Sequence, residues 1–293
     1  MPIRILSDFD GVWTDPVHEA ELVFAEVVQQ ASALVSLPIE EVRSEFAGFS
    51  AATLAAPERY GWAPEGRITA YVDEDPFCVA NGVASYLETA TGDRERFFAA
   101  AIREAGFGRL TEFADRCFLD ATARYRVEHP PALVPGARAA LTALHEAGVH
   151  VVVVSNSESA KLIDWFQASG IDAGESEESE LQVCGNARKF HLGESDASLT
   201  VGGRQIRVDR PAYREAITRI RPDLVIGDVF SLDLALPHAM RAAGEAGAPR
   251  MLVLHGHDHT PPWIADTHAD GALDAIVRGV DELLDLSLAL HTV

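Results

Sequence analysis

Short apolar runs rich in Val, Ile and Leu recur along the chain, at Ile3 to Leu6, Val149 to Val154, Leu224 to Ile226 and Met251 to Leu254, and a helical pattern follows each. Runs without polar alternation suit strands that are covered on both faces. The fold class this predicts is α/β, a doubly wound parallel sheet between two layers of helices. Two helices between the second and third runs are well punctuated. Ser157 is placed to cap the first, Leu162, Ile163 and Phe166 line its inner face, and Gly170 follows its end. The second opens at Asp209, carries Pro211 in its first turn, repeats Tyr213, Ile217 and Ile220 at helical spacing, and stops at Pro222. An earlier helix is predicted from about Pro135 to His145, with Leu141 and Leu144 inward and Gly148 as its stop.

Residues 17–129 break the strand-helix alternation. They carry helical periodicity, as in Glu21 to Leu34 and Arg94 to Glu104, and no convincing strand, so they read as an inserted, mainly helical domain within a core of residues 1–16 and 130–293. Inside this insert, Tyr71 to Asp75 reads as a charged surface turn. Strand-like pieces around Gln182 to Phe190 and Leu199 to Val208, with the Gly202-Gly203 turn signal, predict a β-hairpin excursion from the core. Glu175 to Glu180 reads as an acidic, solvated loop.

Composition narrows the classes of function. The chain has 293 residues and no apolar run long enough to span a bilayer, and its first residues lack the pattern of a secretory signal, so a cytoplasmic protein is expected. Cys78, Cys117 and Cys184 are widely spaced and in no CxxC pattern, which predicts buried apolar fillers rather than disulfides or thiolate metal ligands. Lys and Arg number 24 against 45 Asp and Glu, for a net charge of −21. Such a field argues against nucleic acid and anionic membrane as partners. It also means that an anionic substrate must meet cations placed locally, from side chains or a metal.

In an open parallel sheet, ligands bind beyond the carboxyl ends of the strands. After the first run comes Asp8-Phe9-Asp10-Gly11-Val12-Trp13-Thr14, in which strand alternation turns Asp8 and Asp10 to the same side and Gly11 permits a sharp turn. Ser155-Asn156-Ser157 follows the second run. Gly227-Asp228 and then Asp233 follow the third. Carboxylates of Asp8, Asp10, Asp228 and Asp233 converging on one sheet edge would repel one another without a hard divalent cation among them, and magnesium suits such oxygen ligands.

The order DxDGVxT, a strand ending in Ser, a basic residue, and GDxxxxD resembles the four motifs of the haloacid dehalogenase superfamily, in its phosphatase branch with a type 1 helical cap. The resemblance covers about residues 1–16 and 130–293, implies a Rossmann-like core, and places a cap where the insert falls. It implies that Asp8 attacks phosphorus to form an aspartyl-phosphate, and that Asp10 serves as general acid and then general base. Ser155, with the Asn156 backbone N–H, would hold a phosphoryl oxygen. Asp228 would bind Mg²⁺ together with the Asp8 side chain and the Asp10 carbonyl, and Asp233 directly or through water. At the third motif the chain departs from the pattern, with Arg210-Pro211 where relatives carry Lys-Pro. Arg is not equivalent to Lys, so Lys189 and Arg210 both stand as the catalytic, phosphate-binding cation; Lys161 is a weaker candidate because its helix begins so soon after Ser155.

The activity implied is Mg²⁺-dependent hydrolysis of a phosphate monoester on a small metabolite. Rivals are a phosphotransferase or phosphomutase, a dehalogenase, and a catalytically weak metal- or phosphate-binding regulatory protein. Asp10 speaks for phosphate chemistry, since halide needs no proton to leave. A phosphonate hydrolase would be expected to offer a cap lysine, and residues 17–129 contain none. Among other features, His255 to His259 reads as a solvated or substrate-facing loop before a zinc site, and Trp13 and Trp62 as core before pocket. Arg43, Arg59, Arg67, Arg124 and Arg126 read as surface charges. Oligomeric state is left open, a homo-oligomer included.

Overall fold

The computed structural model describes residues 2–290. The chain divides into two compact units, Met1–Asp15 with Pro131–Val293, and Pro16–Pro130. The strands are β1 (Arg4–Ser7), β2 (Gly61–Trp62), β3 (Ala70–Tyr71), β4 (His150–Val154), β5 (Ala173–Gly174), β6 (Leu181–Cys184), β7 (Ser198–Val201), β8 (Arg204–Arg207), β9 (Leu224–Gly227), β10 (Met251–His255) and β11 (Ala275–Val277). The helices are α1 (Val17–Val35), α2 (Ile39–Leu54), α3 (Cys78–Thr89), α4 (Asp93–Glu104), α5 (Leu110–Glu128), α6 (Ala137–Glu146), α7 (Ser159–Ala168), α8 (Pro211–Ile220), α9 (Ala235–Ala242), α10 (Trp263–Ala269) and α11 (Leu283–Ala289).

In the first unit seven strands form one parallel sheet in the order β11-β10-β9-β1-β4-β6-β5. The all-apolar runs end up where both faces are covered: Ile5, Leu6, Val152, Val153, Val225, Ile226, Leu252 and Val253 are buried. Each such side chain contributes roughly 1.5–3 kcal/mol through the apolar area it removes from water. Strand β1 lies at the centre, with Ile5 level with Val151 on one side and Leu224 on the other, so its carboxyl end opens between those of β4 and β9. That topology brings the candidate residues after β1, β4 and β9 to one edge.

Several elements differ from expectation. Leu181–Cys184 is a strand of the main sheet, not an arm of the hairpin; the hairpin is β7–β8 alone, with Gly202 and Gly203 both at positive φ in its turn. Strands β5 and β11, of two and three residues, were too short to show a pattern. Ser157 does not cap α7, whose capping position is Glu158 with no side-chain bond. Helix α8 starts at Pro211, and Asp209 instead accepts from the Ser195 N–H at 2.8 Å.

The second unit is helical. Val23, Val27, Phe46, Phe98, Ile102 and Leu110 belong to one apolar core shared by α1 to α5, and Glu26, buried on α1, is paired with Arg124 of α5. It does contain strand: β2 and β3 pair antiparallel, with Gly61 opposite Tyr71. Tyr71, Val72 and Glu74 are buried, so Tyr71 to Asp75 is not a surface turn. Arg43 is paired with Glu40, and Arg59 lies over the Tyr60 ring. Among the described residues, no helix is long and apolar enough to cross a membrane.

Candidate active site

At the end of β1 the Asp8 N–H still donates to the sheet, to the Ile226 carbonyl at 2.9 Å. The chain then turns tightly: the N–H groups of Val12 and Trp13 both donate to the Phe9 carbonyl. Phe9 points into the core, edge-on to Phe166 at 5.4 Å, and Trp13 is fully buried with its indole N–H on the Ser7 hydroxyl at 2.8 Å, so it is core and lines no pocket. With these anchors inward, Asp8 and Asp10 are left at the open end. Gly11 is required twice over. Its φ is +76°, and a Cβ there would lie 1.9 Å from an Asp228 carboxylate oxygen.

Asp228 follows β9 directly. Asp233 is carried by one π-helical turn, Phe230–Leu234, in which the Asp233 N–H donates to the Val229 carbonyl at 2.8 Å. Asp8, Asp228 and Asp233 each present a carboxylate oxygen, and these atoms lie within 4.8 Å of one another, all buried. Lys189 is fully buried with them, its Nζ 2.8 Å from Asp8 Oδ1 and 2.8 Å from Asp233 Oδ1. Burial raises the Asp8 carboxyl to about 7, against the pull of Lys189 and with a further push from Asp233. Burial by itself would lower the Lys189 ammonium, but Asp233 and Asp8 outweigh it and hold the group charged.

Three buried carboxylates lie close together around one ammonium, and all the ligand atoms the cluster offers are hard oxygens. This fits a divalent cation of the magnesium type held by Asp8, Asp228 and Asp233. Among the described residues it is the one cluster with metal-ligand spacing. The histidine loop makes no such site. His255 Nδ1 and His257 Nε2 both donate to the Gly11 carbonyl, at 2.6 and 2.7 Å, so these imidazoles brace the turn after Asp10. Burial pushes His257 down to about 4, with His255 adding to the shift.

The two candidates for the third-motif cation separate geometrically. Lys189 reaches the carboxylates. Arg210, fully buried, instead donates to the backbone carbonyls of Lys189, Ser231 (2.9 Å) and Arg207 (3.2 Å), and so ties the Lys189 loop to the Asp233 loop. Asn156 is likewise a brace, its Oδ1 accepting from the Lys189 N–H at 2.7 Å. The loop that delivers Lys189 holds Asn186 and Arg188 at φ +53°, a conformation costly to non-glycine residues. Ser155 is buried, and its Oγ accepts from the Ser157 N–H at 3.1 Å.

Asp10 is held by a separate group that the sequence reading did not assemble. Its Oδ2 accepts from Ser157 Oγ at 3.1 Å, its Oδ1 lies 3.3 Å from Lys161 Nζ, and Lys161 Nζ donates to Ser157 Oγ at 3.1 Å. A signal for this was available. The chain contains only two lysines, Lys161 and Lys189, and the fold sets one against each aspartate of DxD.

A family model of haloacid dehalogenase-like hydrolases matches residues 4–186. The chain belongs to the haloacid dehalogenase-like hydrolase family, and its seven-stranded parallel sheet flanked by helices matches that family's Rossmann-like core. Among solved structures it is similar to CbbY of Rhodobacter sphaeroides in complex with phosphate, at 14% identity and a TM-score of 0.47, over 97% of this chain and 96% of that one. A HAD phosphatase of Thermococcus onnurineus matches at 12% identity and a TM-score of 0.46, over 98% and 97%. YfnB of Bacillus subtilis, bound to magnesium, matches at 14% and 0.45, over 98% of each chain. No curated protein matches the sequence.

Proposed function

We propose that this chain is a magnesium-dependent phosphatase that hydrolyses a phosphate monoester of a small metabolite, with Asp8 as nucleophile. The observation that carries the reading is the Asp8 carboxylate itself, held by Lys189 at 2.8 Å inside the only buried carboxylate cluster of metal-ligand spacing among the described residues. A carboxylate oxygen of Asp8 attacks phosphorus, the ester P–O bond breaks with its electron pair on the leaving oxygen, and Asp10 gives that oxygen a proton. Water then attacks the aspartyl-phosphate, Asp10 takes the water's proton, and inorganic phosphate leaves with the Asp8 carboxylate restored. Ser155 and Lys189 bind the phosphoryl oxygens. Magnesium, held by Asp8, Asp228, Asp233 and the Asp10 carbonyl, supplies neutralisation of the charge spread over those oxygens.

The test is release of inorganic phosphate from phenyl phosphates and a panel of metabolite phosphates, with and without Mg²⁺. Turnover should require the metal and should fall by at least about 10³-fold in Asp8→Asn, which keeps the shape of the side chain and removes the nucleophile. A folded wild-type protein that releases no phosphate from any ester overturns the reading.

A further inference from the structure

We propose that Lys161 is a positioning residue for Asp10, and that it acts on the proton-transfer step and not on the attack at phosphorus. The inference rests on the phosphatase reading above and goes beyond it to a residue outside the four motifs.

Asp10 is gripped at both oxygens, by Ser157 Oγ at 3.1 Å and Lys161 Nζ at 3.3 Å. Neither grip is loose, because the two holders are bonded to each other at 3.1 Å. Lys161 has little freedom of its own. Its side chain is 8% exposed, and its Nζ lies 5.6 Å from the ring centroids of both Phe9 and Trp165, a favourable placement for a cation over aromatic faces. Phe9 is the residue between the two aspartates, so the ammonium is referenced to the same turn that presents Asp8. The Asp10 side chain remains 31% exposed.

This arrangement has a specific use. A general acid works only from within hydrogen-bond reach of the oxygen it protonates, and a carboxyl free to rotate spends most of its time elsewhere. Two holders on two oxygens select one rotamer.

The proposal predicts a dependence on the leaving group. The probes are substituted phenyl phosphates whose phenols range from acidic, needing no proton to leave, to weakly acidic, needing one. Lys161→Met keeps the length and apolar stem and removes the charge. Its kcat/KM, which reports attack and departure of the phenol, should fall by about 30-fold or more on unsubstituted phenyl phosphate but less than about 3-fold on nitrophenyl phosphate, in the pattern of Asp10→Asn, while hydrolysis of the aspartyl-phosphate, where Asp10 is the base, slows alike for every phenol. The Mg²⁺ concentration for half-maximal rate should not change. Lys161→Arg should recover most of the loss, Ser157→Ala should show the same selective pattern, and Lys161→Met should add nothing to Asp10→Asn on phenyl phosphate. Losses of kcat/KM of equal size on all leaving groups, or no loss on phenyl phosphate, in variants whose melting matches the wild type, overturn the proposal while Asp8→Asn still upholds the phosphatase. No phosphate release by the wild type overturns both.

Discussion

Two aspartates separated by one residue sit in different surroundings. Asp8 and its lysine are sealed: Lys189 is wholly buried and shared with Asp233. Asp10 is at the rim, with 31% of its side chain exposed, and a hydroxyl bridges it to its lysine. The difference follows from the jobs proposed for them. A nucleophile must stay fixed beside its cation while water is kept away, whereas an acid that turns into a base must meet a leaving group and then a water molecule. The sealed pair therefore carries the larger electrostatic stakes, and changes there should cost most.

Removing the sealed ammonium is the severest way to break the comparison. Lys189→Met leaves Asp8 and Asp233 buried beside Asp228 without the ammonium they share, and loss of one partner from a buried pair costs about 3–5 kcal/mol. Urea unfolding of the metal-free protein should show a loss of that order, together with loss of turnover. Asp228→Asn should move metal-free stability the other way, because it removes one of three mutually repelling carboxylates. An equal, small effect of Lys189→Met and Lys161→Met would remove the distinction between sealed and open pairs.

Arg210 sharpens the comparison by one step. Its guanidinium holds the carbonyls of Lys189 and Ser231. Arg210→Met leaves buried carbonyls without donors, at about 1–3 kcal/mol for each such group. Turnover should fall in parallel with stability, with no change in leaving-group dependence, and Arg210→Lys should not restore it because one ammonium cannot reproduce the fork. Retained stability with lost phosphate affinity would instead make Arg210 a phosphate contact.

The main strands and the acidic motifs were legible in the sequence because each is local: a run of β-branched residues, a DxDG turn, a GD after a strand. What was not legible depends on where side chains reach after folding. The choice between Lys189 and Arg210 turns on which loop delivers its cation to the sheet edge, and neither spacing nor residue type settles that. Ser157 resembles an N-cap in sequence, yet its hydroxyl is drawn to Asp10. Tyr71 to Asp75 is too short to show which of its faces is covered. The histidine run read as a solvated or substrate-facing loop because periodicity cannot reveal that two of its rings share one backbone carbonyl as acceptor.

That shared carbonyl gives the smallest effect. His257 is pushed from 6.5 to about 4 by burial and by His255, while the Gly11 carbonyl and Asp15 pull the other way and His259 adds to the depression. A histidine whose folded value is depressed stays neutral in the native state, so between about 6.5 and 4 the unfolded chain binds more protons and stability falls as the pH drops. Allowing for its partial exposure, the loss across that window is about 2 kcal/mol. Asp8 works against it, since a raised carboxyl favours the native state as the pH falls from about 7. The two are separated with His257→Gln, which keeps an N–H for the Gly11 carbonyl and takes up no proton. Unfolding free energies measured from pH 7 to 4.5 should diverge, the wild type losing more than the variant, with Asp8 common to both. Parallel curves would mean that His257 is protonated in the folded protein without cost, and that its bond to Gly11 is made as readily by the charged ring.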